Sequence, residues 1–206
     1  MPVIGVTGGI ASGKSTVTQM IFESLKLQTG ATPELFSADE YSHQLLADDP
    51  SVHAAILDVF GGDICNSEGV ISRLALRQKV FADPEARVAL EKILHPKIQN
   101  HWRNRSHSYR CSQNYFIAEI PLLYETNCAQ YFDRIVVVAA GAAIQLQRLS
   151  SKRGWSLETA RQVIEAQMPA HEKMRLADIL ILNHHTENLL HRQVDLAATS
   201  LLMRHA

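Results

Sequence analysis

The sequence predicts an α/β fold in which a five-stranded parallel sheet is covered by helices on both faces, as a three-layer α/β/α domain. Three observations predict it: a glycine-rich loop between a strand and a helix, a series of short apolar runs, and helical stretches between those runs. Nearly continuous apolar runs are typical of parallel strands that are buried on both faces. The strand candidates are residues 3–7, 34–37, 115–119, 134–138 and 179–182.

The glycine-rich loop at residues 8–15 reads Gly-Gly-Ile-Ala-Ser-Gly-Lys-Ser, which is a complete G-x-x-x-x-G-K-S pattern. Glycines allow the backbone to curl so that successive N–H groups point at phosphate oxygens. Lys14 places a charge on the β- and γ-phosphates, and the Ser15 hydroxyl is suited to hold Mg²⁺. The loop is therefore predicted to bind a nucleoside triphosphate with Mg²⁺. Its predicted nucleotide-binding residues are Gly9, Ala11, Ser12, Gly13, Lys14, Ser15 and Thr16.

Composition limits the classes of protein that are compatible with the chain. At 206 residues and 46% hydrophobic content, it is long enough to bury a large core as a single domain, 1–206, that carries an insertion. Twenty Lys and Arg against 21 Asp and Glu give a net charge of −1, which argues against a nucleic-acid partner. Long apolar runs are missing, so no membrane association is predicted. Three scattered cysteines favour a reducing cytoplasm, and the oligomeric state is left open.

The strands are unevenly spaced, because 75 residues separate Asp39 from Tyr115. The pattern in this interval is helical, and Gly61-Gly62 would stop one of the helices. Predicted helix starts are Asp49-Pro50, Ser72 and Asp83-Pro84. We therefore predict a helical insertion at about 42–112. Two interpretations are open: the insertion binds the acceptor of a transferred phosphoryl group, or it serves packing alone.

A cationic segment follows the fourth strand candidate. Arg148, Lys152 and Arg153 lie near one face of a helix that begins near Ala142, since positions four apart stack on one side. The turn at 154–156 then separates this helix from a second one. Such a segment at about 142–170 is typical of a lid that closes over a triphosphate and neutralises charge during transfer. The alternative is a solvated basic face.

Asp39 is the candidate catalytic carboxylate, because it follows the second strand at the edge where doubly wound folds bind ligands. It would orient an acceptor hydroxyl and accept its proton. Alternatively, it caps the helix that contains Tyr41 and Leu45, and the two roles are compatible. The Asn-Lys-x-Asp guanine motif of GTPases and the Leu-Ser-Gly-Gly-Gln signature of transport ATPases are both missing from the sequence. A small-molecule kinase is therefore the favoured class.

An ordered set of motifs resembles the dephospho-coenzyme A kinase family across nearly the whole chain. The most discriminating one is Pro-Leu-Leu-Tyr-Glu at 121–125, which is similar to the Pro-Leu-Leu-Phe-Glu of that family. The others are the loop with residues 5–7, Phe60-Gly61-Gly62, Gly69–Arg73, Leu94-His95-Pro96, Gln145–Leu149, Ala166-Gln167-Met168, Ala177-Asp178 and Asn183.

The resemblance implies transfer of the ATP γ-phosphoryl group to the ribose 3′-hydroxyl of dephospho-CoA, which yields coenzyme A and ADP. It assigns the base position to Asp39 and the lid arginine position to Arg148, which makes Lys14, Asp39 and Arg148 the catalytic set. It places Asn183 near the adenine and Glu119 toward the metal that Ser15 holds. The implied acceptor-side residues are Asp39, Arg73, His95, Pro121, Leu122 and Glu125.

The chain also departs from the family pattern. Ser37 stands where the family has a first aspartate, His43 replaces an arginine, and Lys152 replaces a second lid arginine. Extra residues around Gln28 to Pro33 lengthen the connection to the second strand. Two other functions stay open: another nucleoside or nucleotide kinase, and a nucleotide-dependent switch without kinase chemistry.

Overall fold

The computed structural model describes residues 2–66, 69–110, 114–184 and 186–203. The chain divides into two compact units. The sheet unit comprises Met1–Ser37 with Arg105–Ala206, and the helical unit comprises Ala38–Asn104. The organisation as one domain with an insertion at about 42–112 and a lid at about 142–170 stays a prediction.

The sheet unit contains a five-stranded sheet in the order β2-β3-β1-β4-β5, with every neighbouring pair parallel. The strands are β1 (Val3–Gly8), β2 (Glu34–Ser37), β3 (Phe116–Glu119), β4 (Arg134–Ala139) and β5 (Ile179–Leu182). All five predicted strands are confirmed, with one-residue differences at three ends. The α/β fold class is likewise confirmed.

Helices lie between most of these strands and after the last one. They are α1 (Lys14–Thr29), α2 (Ala38–Asp48), α3 (Pro50–Phe60), α4 (Arg73–Ala82), α5 (Pro84–Arg110), α6 (Ala142–Arg153), α7 (Leu157–Glu165), α8 (Ala170–Arg175) and α9 (Glu187–Met203). Among the residues that the structure describes, none of these helices has the length and hydropathy needed to cross a membrane.

The core of the sheet unit lies between the central strands and the pair α1 and α9. Ile4 and Val6 of β1, Val136 of β4, Ile21 of α1 and Val194 of α9 are all buried in one apolar cluster. Because strands β1 and β4 are buried, their carboxyl ends are held at a fixed edge of the sheet. The phosphate loop leaves β1 at this edge and leads directly into α1.

The helical unit has its own apolar core, to which α2, α3, α4 and α5 contribute. The predicted helix starts are confirmed. The Asp49 carboxylate accepts hydrogen bonds from the N–H groups of Ser51 and Val52 at 2.9 and 3.1 Å, ahead of Pro50 at the first helical position. Ser72 caps α4, and α5 begins at Pro84. Gly61, with φ of 75°, follows the end of α3 as expected.

The predicted helix–turn–helix after β4 is also present in the sheet unit. Helix α6 ends at Gly154, whose φ of 66° is the left-handed conformation that favours glycine. The Ser156 hydroxyl then caps α7 by accepting a hydrogen bond from the Thr159 N–H at 3.1 Å. Lys152 and Arg153 are exposed, and the Arg153 guanidinium lies 5.4 Å from the centre of the Trp155 ring.

Candidate active site

The phosphate loop has the backbone geometry that its sequence predicts. Gly13 adopts φ of 90° immediately before α1, and a Cβ at this position would collide with the side-chain amide of Asn183. Ala11 has φ of 56°, an uncommon value for a residue other than glycine. Strained backbone of this kind is concentrated at ligand-binding sites. The loop therefore places the N-terminus of the sixteen-residue α1 at the carboxyl edge of the sheet, where an anion is favoured.

Lys14 is the first residue of α1 and is buried, with 9% of its surface exposed. Its ammonium group donates a hydrogen bond to the Gly9 carbonyl oxygen at 3.0 Å. This contact folds the side chain back across the loop. The cation is thus held beside the loop, where the resemblance and the motif both place the phosphates of a nucleotide.

Ser15 and Glu119 meet at the same edge of the sheet. The Ser15 hydroxyl donates to the Glu119 Oε1 at 2.8 Å, and Glu119 is only 6% exposed. Glu119 ends β3, in register with Val6 of β1 and Ser37 of β2. Hydroxyl and carboxylate oxygens are the hard ligands that Mg²⁺ prefers, usually together with substrate phosphates. The oxygen atoms of this pair therefore fit the ligand preference of a magnesium ion.

Within the described ranges, no group of three or more His, Cys, Asp and Glu side chains forms a site for a metal ion. Magnesium does not need such a cluster, since it is commonly held by one or two protein oxygens and by the phosphates of the substrate.

Arg148 and Asn183 hold the outer, carbonyl side of the phosphate loop. The Arg148 guanidinium donates to the Ala11 and Ser12 carbonyl oxygens at 3.0 and 3.1 Å and to the Asn183 carbonyl oxygen at 3.2 Å. The Asn183 side-chain amide donates to the same Ser12 carbonyl oxygen at 2.8 Å. Because the carbonyl groups are bound on this side, the loop keeps its curled form. The structure thus brings together Arg148, Asn183 and the loop.

Gln145 and Gln167 also contact the loop, although sequence reasoning gave neither of them a role. Gln145 donates to the Ile10 carbonyl oxygen at 2.7 Å, and Gln167 accepts a hydrogen bond from the Ile10 N–H at 2.8 Å. Gln145 lies three residues before Arg148, hence on the same face of α6. That spacing is the signal that could have identified it.

The segment after β3, Pro121–Glu125, is fixed from two sides within the sheet unit. The Thr7 hydroxyl donates to the Pro121 carbonyl oxygen at 3.1 Å, and the Lys173 ammonium donates to that same oxygen at 3.1 Å. Lys173 also forms an ion pair with Glu125 at 2.8 Å. Pro121, Leu122 and Glu125 are half-buried. Lys173 is a third residue to which the sequence gave no role, after Gln145 and Gln167.

The remaining candidate residues belong to the helical unit. Asp39 is exposed and lies within the first turn of α2, so it is not the residue that caps this helix from outside. Arg73 is exposed at the start of α4, and its guanidinium donates to the His43 carbonyl oxygen at 3.3 Å. His95 is half-buried on α5. This unit therefore brings together Arg73 and His43, one of the positions that departs from the family pattern.

The parallel sheet and the loop at the N-terminus of α1 define a phosphate-loop nucleotide-binding protein of the α/β class. The chain belongs to the dephospho-CoA kinase family, whose model matches residues 2–188.

Curated relatives match most of the length of the chain. A dephospho-CoA kinase of Methylococcus capsulatus is 34% identical over 195 residues, which cover 95% of this chain and 94% of that protein. Its counterpart in Bacillus thuringiensis subsp. konkukian is 36% identical over 185 residues, or 89% of each chain. The solved dephospho-CoA kinase of Campylobacter jejuni has a TM-score of 0.69 at 22% identity and covers 99% of this chain and 98% of its own, which supports the shared fold.

Proposed function

We propose that the site at the phosphate loop carries out the reaction for which this family is named. ATP phosphorylates the ribose 3′-hydroxyl of dephospho-CoA, and the products are coenzyme A and ADP, in the last step of coenzyme A biosynthesis. A bond forms between the acceptor oxygen and the γ-phosphorus, while the bond from that phosphorus to the β,γ-bridging oxygen of ATP breaks. The hydroxyl proton passes to a carboxylate.

The donor half of this proposal rests on the loop. Its N–H groups and the Lys14 ammonium bind the β- and γ-phosphates and stabilise the charge that moves to ADP during transfer. Arg148 keeps the loop in its curled form through the Ala11 and Ser12 carbonyl oxygens, 3.0 and 3.1 Å away. Asn183 lies beside the same loop and is assigned to the adenine side.

Ser15 and Glu119 are the residues proposed to hold Mg²⁺. The ion would supply positive charge to the β- and γ-phosphate oxygens. Glu119 orients the Ser15 hydroxyl through the 2.8 Å hydrogen bond that it accepts.

The acceptor half rests on Asp39 as the carboxylate that orients the 3′-hydroxyl and accepts its proton. Asp39 follows Ser37, the last residue of β2, by two positions, and it is exposed. An exposed carboxylate keeps its oxygens accessible to a substrate. The proposed acceptor-binding residues are Arg73, His95, Pro121, Leu122 and Glu125.

The observation that carries the proposal is the Ser15–Glu119 contact at the end of the phosphate loop, because it unites the metal-binding hydroxyl with a buried carboxylate on the neighbouring strand. The test is ADP formation by the purified chain with ATP and Mg²⁺, with dephospho-CoA, AMP or adenosine as acceptor. We expect turnover with dephospho-CoA. Turnover with AMP or adenosine alone would make the chain another nucleotide or nucleoside kinase, and ATP binding without any turnover would make it a switch.

The proposed base is tested by the variant Asp39→Asn, which keeps the shape of the side chain but removes its charge. We expect kcat to fall by about 100-fold or more, as for loss of a general base, with the KM for ATP little changed. Glu40→Gln, at the adjacent exposed position on α2, is the matched control. An unchanged kcat in Asp39→Asn would remove Asp39 from this role.

A further inference from the structure

Lys173 is a buried cation in a short helix of the sheet unit. It lies in the six-residue α8, and only 1% of its surface is exposed. Its ammonium group is 2.8 Å from the Glu125 Oε1 and 3.1 Å from the Pro121 carbonyl oxygen. Burial of an ammonium group costs several kcal/mol unless it is paired and hydrogen-bonded. Both partners of Lys173 lie in the segment that follows β3.

The same stretch of chain also contacts the phosphate loop. The Gln167 side chain accepts a hydrogen bond from the Ile10 N–H at 2.8 Å, and the Met168 N–H donates to the Glu125 Oε1 at 3.0 Å. Residues 167–173 therefore contact two regions. Gln167 binds the phosphate loop, and Met168 and Lys173 bind the segment after β3.

We propose that Lys173 is a positioning residue for the acceptor, which acts through Glu125 and the Pro121 carbonyl to fix the segment 121–125 relative to the phosphate loop. This inference rests on the proposed function, in which that segment binds dephospho-CoA.

The strand geometry supports a role in positioning rather than in packing alone. Pro121 is two residues beyond Glu119, and its carbonyl oxygen also accepts a hydrogen bond from Thr7, which precedes the phosphate loop at the end of β1. Ligands of doubly wound sheets bind at this carboxyl edge. A small rotation at Pro121 would therefore move residues 122–125 at the edge where substrate binds. Lys173 opposes such a rotation with a charge-assisted contact.

Among the described residues, Glu125 is the one carboxylate that forms an ion pair with Lys173. Loss of the cation leaves the Glu125 carboxylate without that pair and with only the Met168 N–H on its Oε1. The segment then keeps the Thr7 contact at Pro121 but loses its ion pair at Glu125, whereas the phosphate loop retains its contacts with Arg148, Gln145 and Asn183. Loss of the Lys173 charge should therefore weaken binding of the acceptor and not binding of ATP.

The experiment measures steady-state kinetics for both substrates in the variant Lys173→Met, which keeps the length of the side chain without its charge. We expect the KM for dephospho-CoA to rise by about tenfold or more, as for loss of a charge-assisted hydrogen bond, and the KM for ATP to stay within about threefold. Val194→Ala, in the buried core on α9, is the destabilising control. It should lower the thermal midpoint and leave both KM values unchanged.

A second measurement does not depend on activity. Amide hydrogen exchange should rise in residues 121–128 and 166–176 of Lys173→Met, and it should be unchanged in α9. If Lys173→Met folds poorly, Glu125→Gln removes the same ion pair and should raise exchange in the same two stretches. The double variant Lys173→Met/Glu125→Gln should be no worse than the worse single variant, because the two residues act as one unit.

Three results would overturn the proposal: unchanged exchange in both stretches, equal rises in the two KM values, or effects of the two substitutions that multiply in the double variant. If the unaltered chain transfers no phosphoryl group to dephospho-CoA, the proposed function fails. The exchange measurement then still decides whether Lys173 fixes the segment 121–125.

Discussion

The phosphate loop of the sheet unit and the candidate acceptor residues of the helical unit differ in how firmly the protein holds them. Side chains from α6, from the stretch after α7 and from the end of β5 bind the loop through at least five hydrogen bonds to its backbone. In the helical unit, Asp39 and Arg73 are exposed, and the Arg73 contact with the His43 carbonyl oxygen is a long 3.3 Å.

Under the proposed function, this difference implies a donor site that is organised before its ligand arrives and acceptor side chains that the substrate orders. A preorganised site loses little conformational entropy on binding. Immobilising an exposed side chain costs about 0.5–1.5 kcal/mol. Substitutions at the loop should therefore act on the transfer step. Substitutions in the helical unit, apart from the proposed base Asp39, should act on acceptor affinity.

The largest effect is expected for Lys14→Ala, because it removes the cation that is held beside the loop, 3.0 Å from the Gly9 carbonyl oxygen. Turnover should fall by about 1,000-fold, comparable to the loss of a strong donor to a transition-state oxygen. The measurement is ADP formation at saturating ATP and dephospho-CoA. Lys26→Ala, in the last turn of the same helix, is the control and should retain activity. Near-normal activity in Lys14→Ala would break the comparison.

A smaller effect is expected for Glu119→Gln, which keeps the shape of the side chain. In the unaltered chain, Glu119 accepts a hydrogen bond from the Ser15 hydroxyl at 2.8 Å. The Mg²⁺ concentration for half-maximal rate should rise by about 10- to 100-fold, as for loss of a group that orients a metal ligand. Measuring the rate over a range of Mg²⁺ concentrations gives this half-maximal value, and Glu187→Gln on α9 is the control. A Mg²⁺ dependence identical to that of the unaltered chain would exclude Glu119 from the metal site.

In the helical unit, Arg73→Ala should raise the KM for dephospho-CoA by about tenfold and leave the KM for ATP unchanged. The reason is that Arg73, whose guanidinium is exposed, is proposed to bind the acceptor and not to take part in the transfer step. Arg77→Ala, four residues later on α4, is the control in the same steady-state assay. A fall in kcat without a change in KM would show that Arg73 acts on the transfer step, contrary to the comparison.

The smallest effect concerns stability at acid pH. The hydrogen bond from Lys97, followed by those from Ser51, holds the pKa of the Asp49 carboxyl well below its usual range. A depressed pKa contributes stability above the unfolded value of about 3.9, and this contribution is lost as the pH falls below it.

Asp49→Asn should therefore lower the thermal midpoint at pH 7, and the difference from the unaltered chain should shrink toward pH 3. Thermal unfolding followed at both pH values measures it, with the exposed Asp58→Asn on α3 as the control. A difference that stays constant with pH would assign the effect to the helix cap alone. Catalysis at pH 7 should not change, which separates the fold of the helical unit from its role in binding.

Local signals in the sequence were sufficient for much of the fold. Apolar runs predicted the five strands because strands buried on both faces leave little choice of residue. Asp49, Ser72 and Ser156 predicted helix starts, since a capping hydrogen bond spans only two or three residues. The full length of α5 was harder to predict from the sequence. It continues through Pro96 to Arg110, although proline inside a helix removes a hydrogen bond.

By itself, the sequence determined the phosphate loop and the order of strands and helices along the chain. These features depend on neighbours within one turn or one strand. The partners of Arg148 and Lys173 were decided by tertiary structure alone. Arg148 binds a carbonyl oxygen 137 positions away, and Lys173 lies in a charged run that resembles an exposed helix. Burial turns that lysine inward, because only the folded sheet unit supplies Glu125 and the Pro121 carbonyl as its partners.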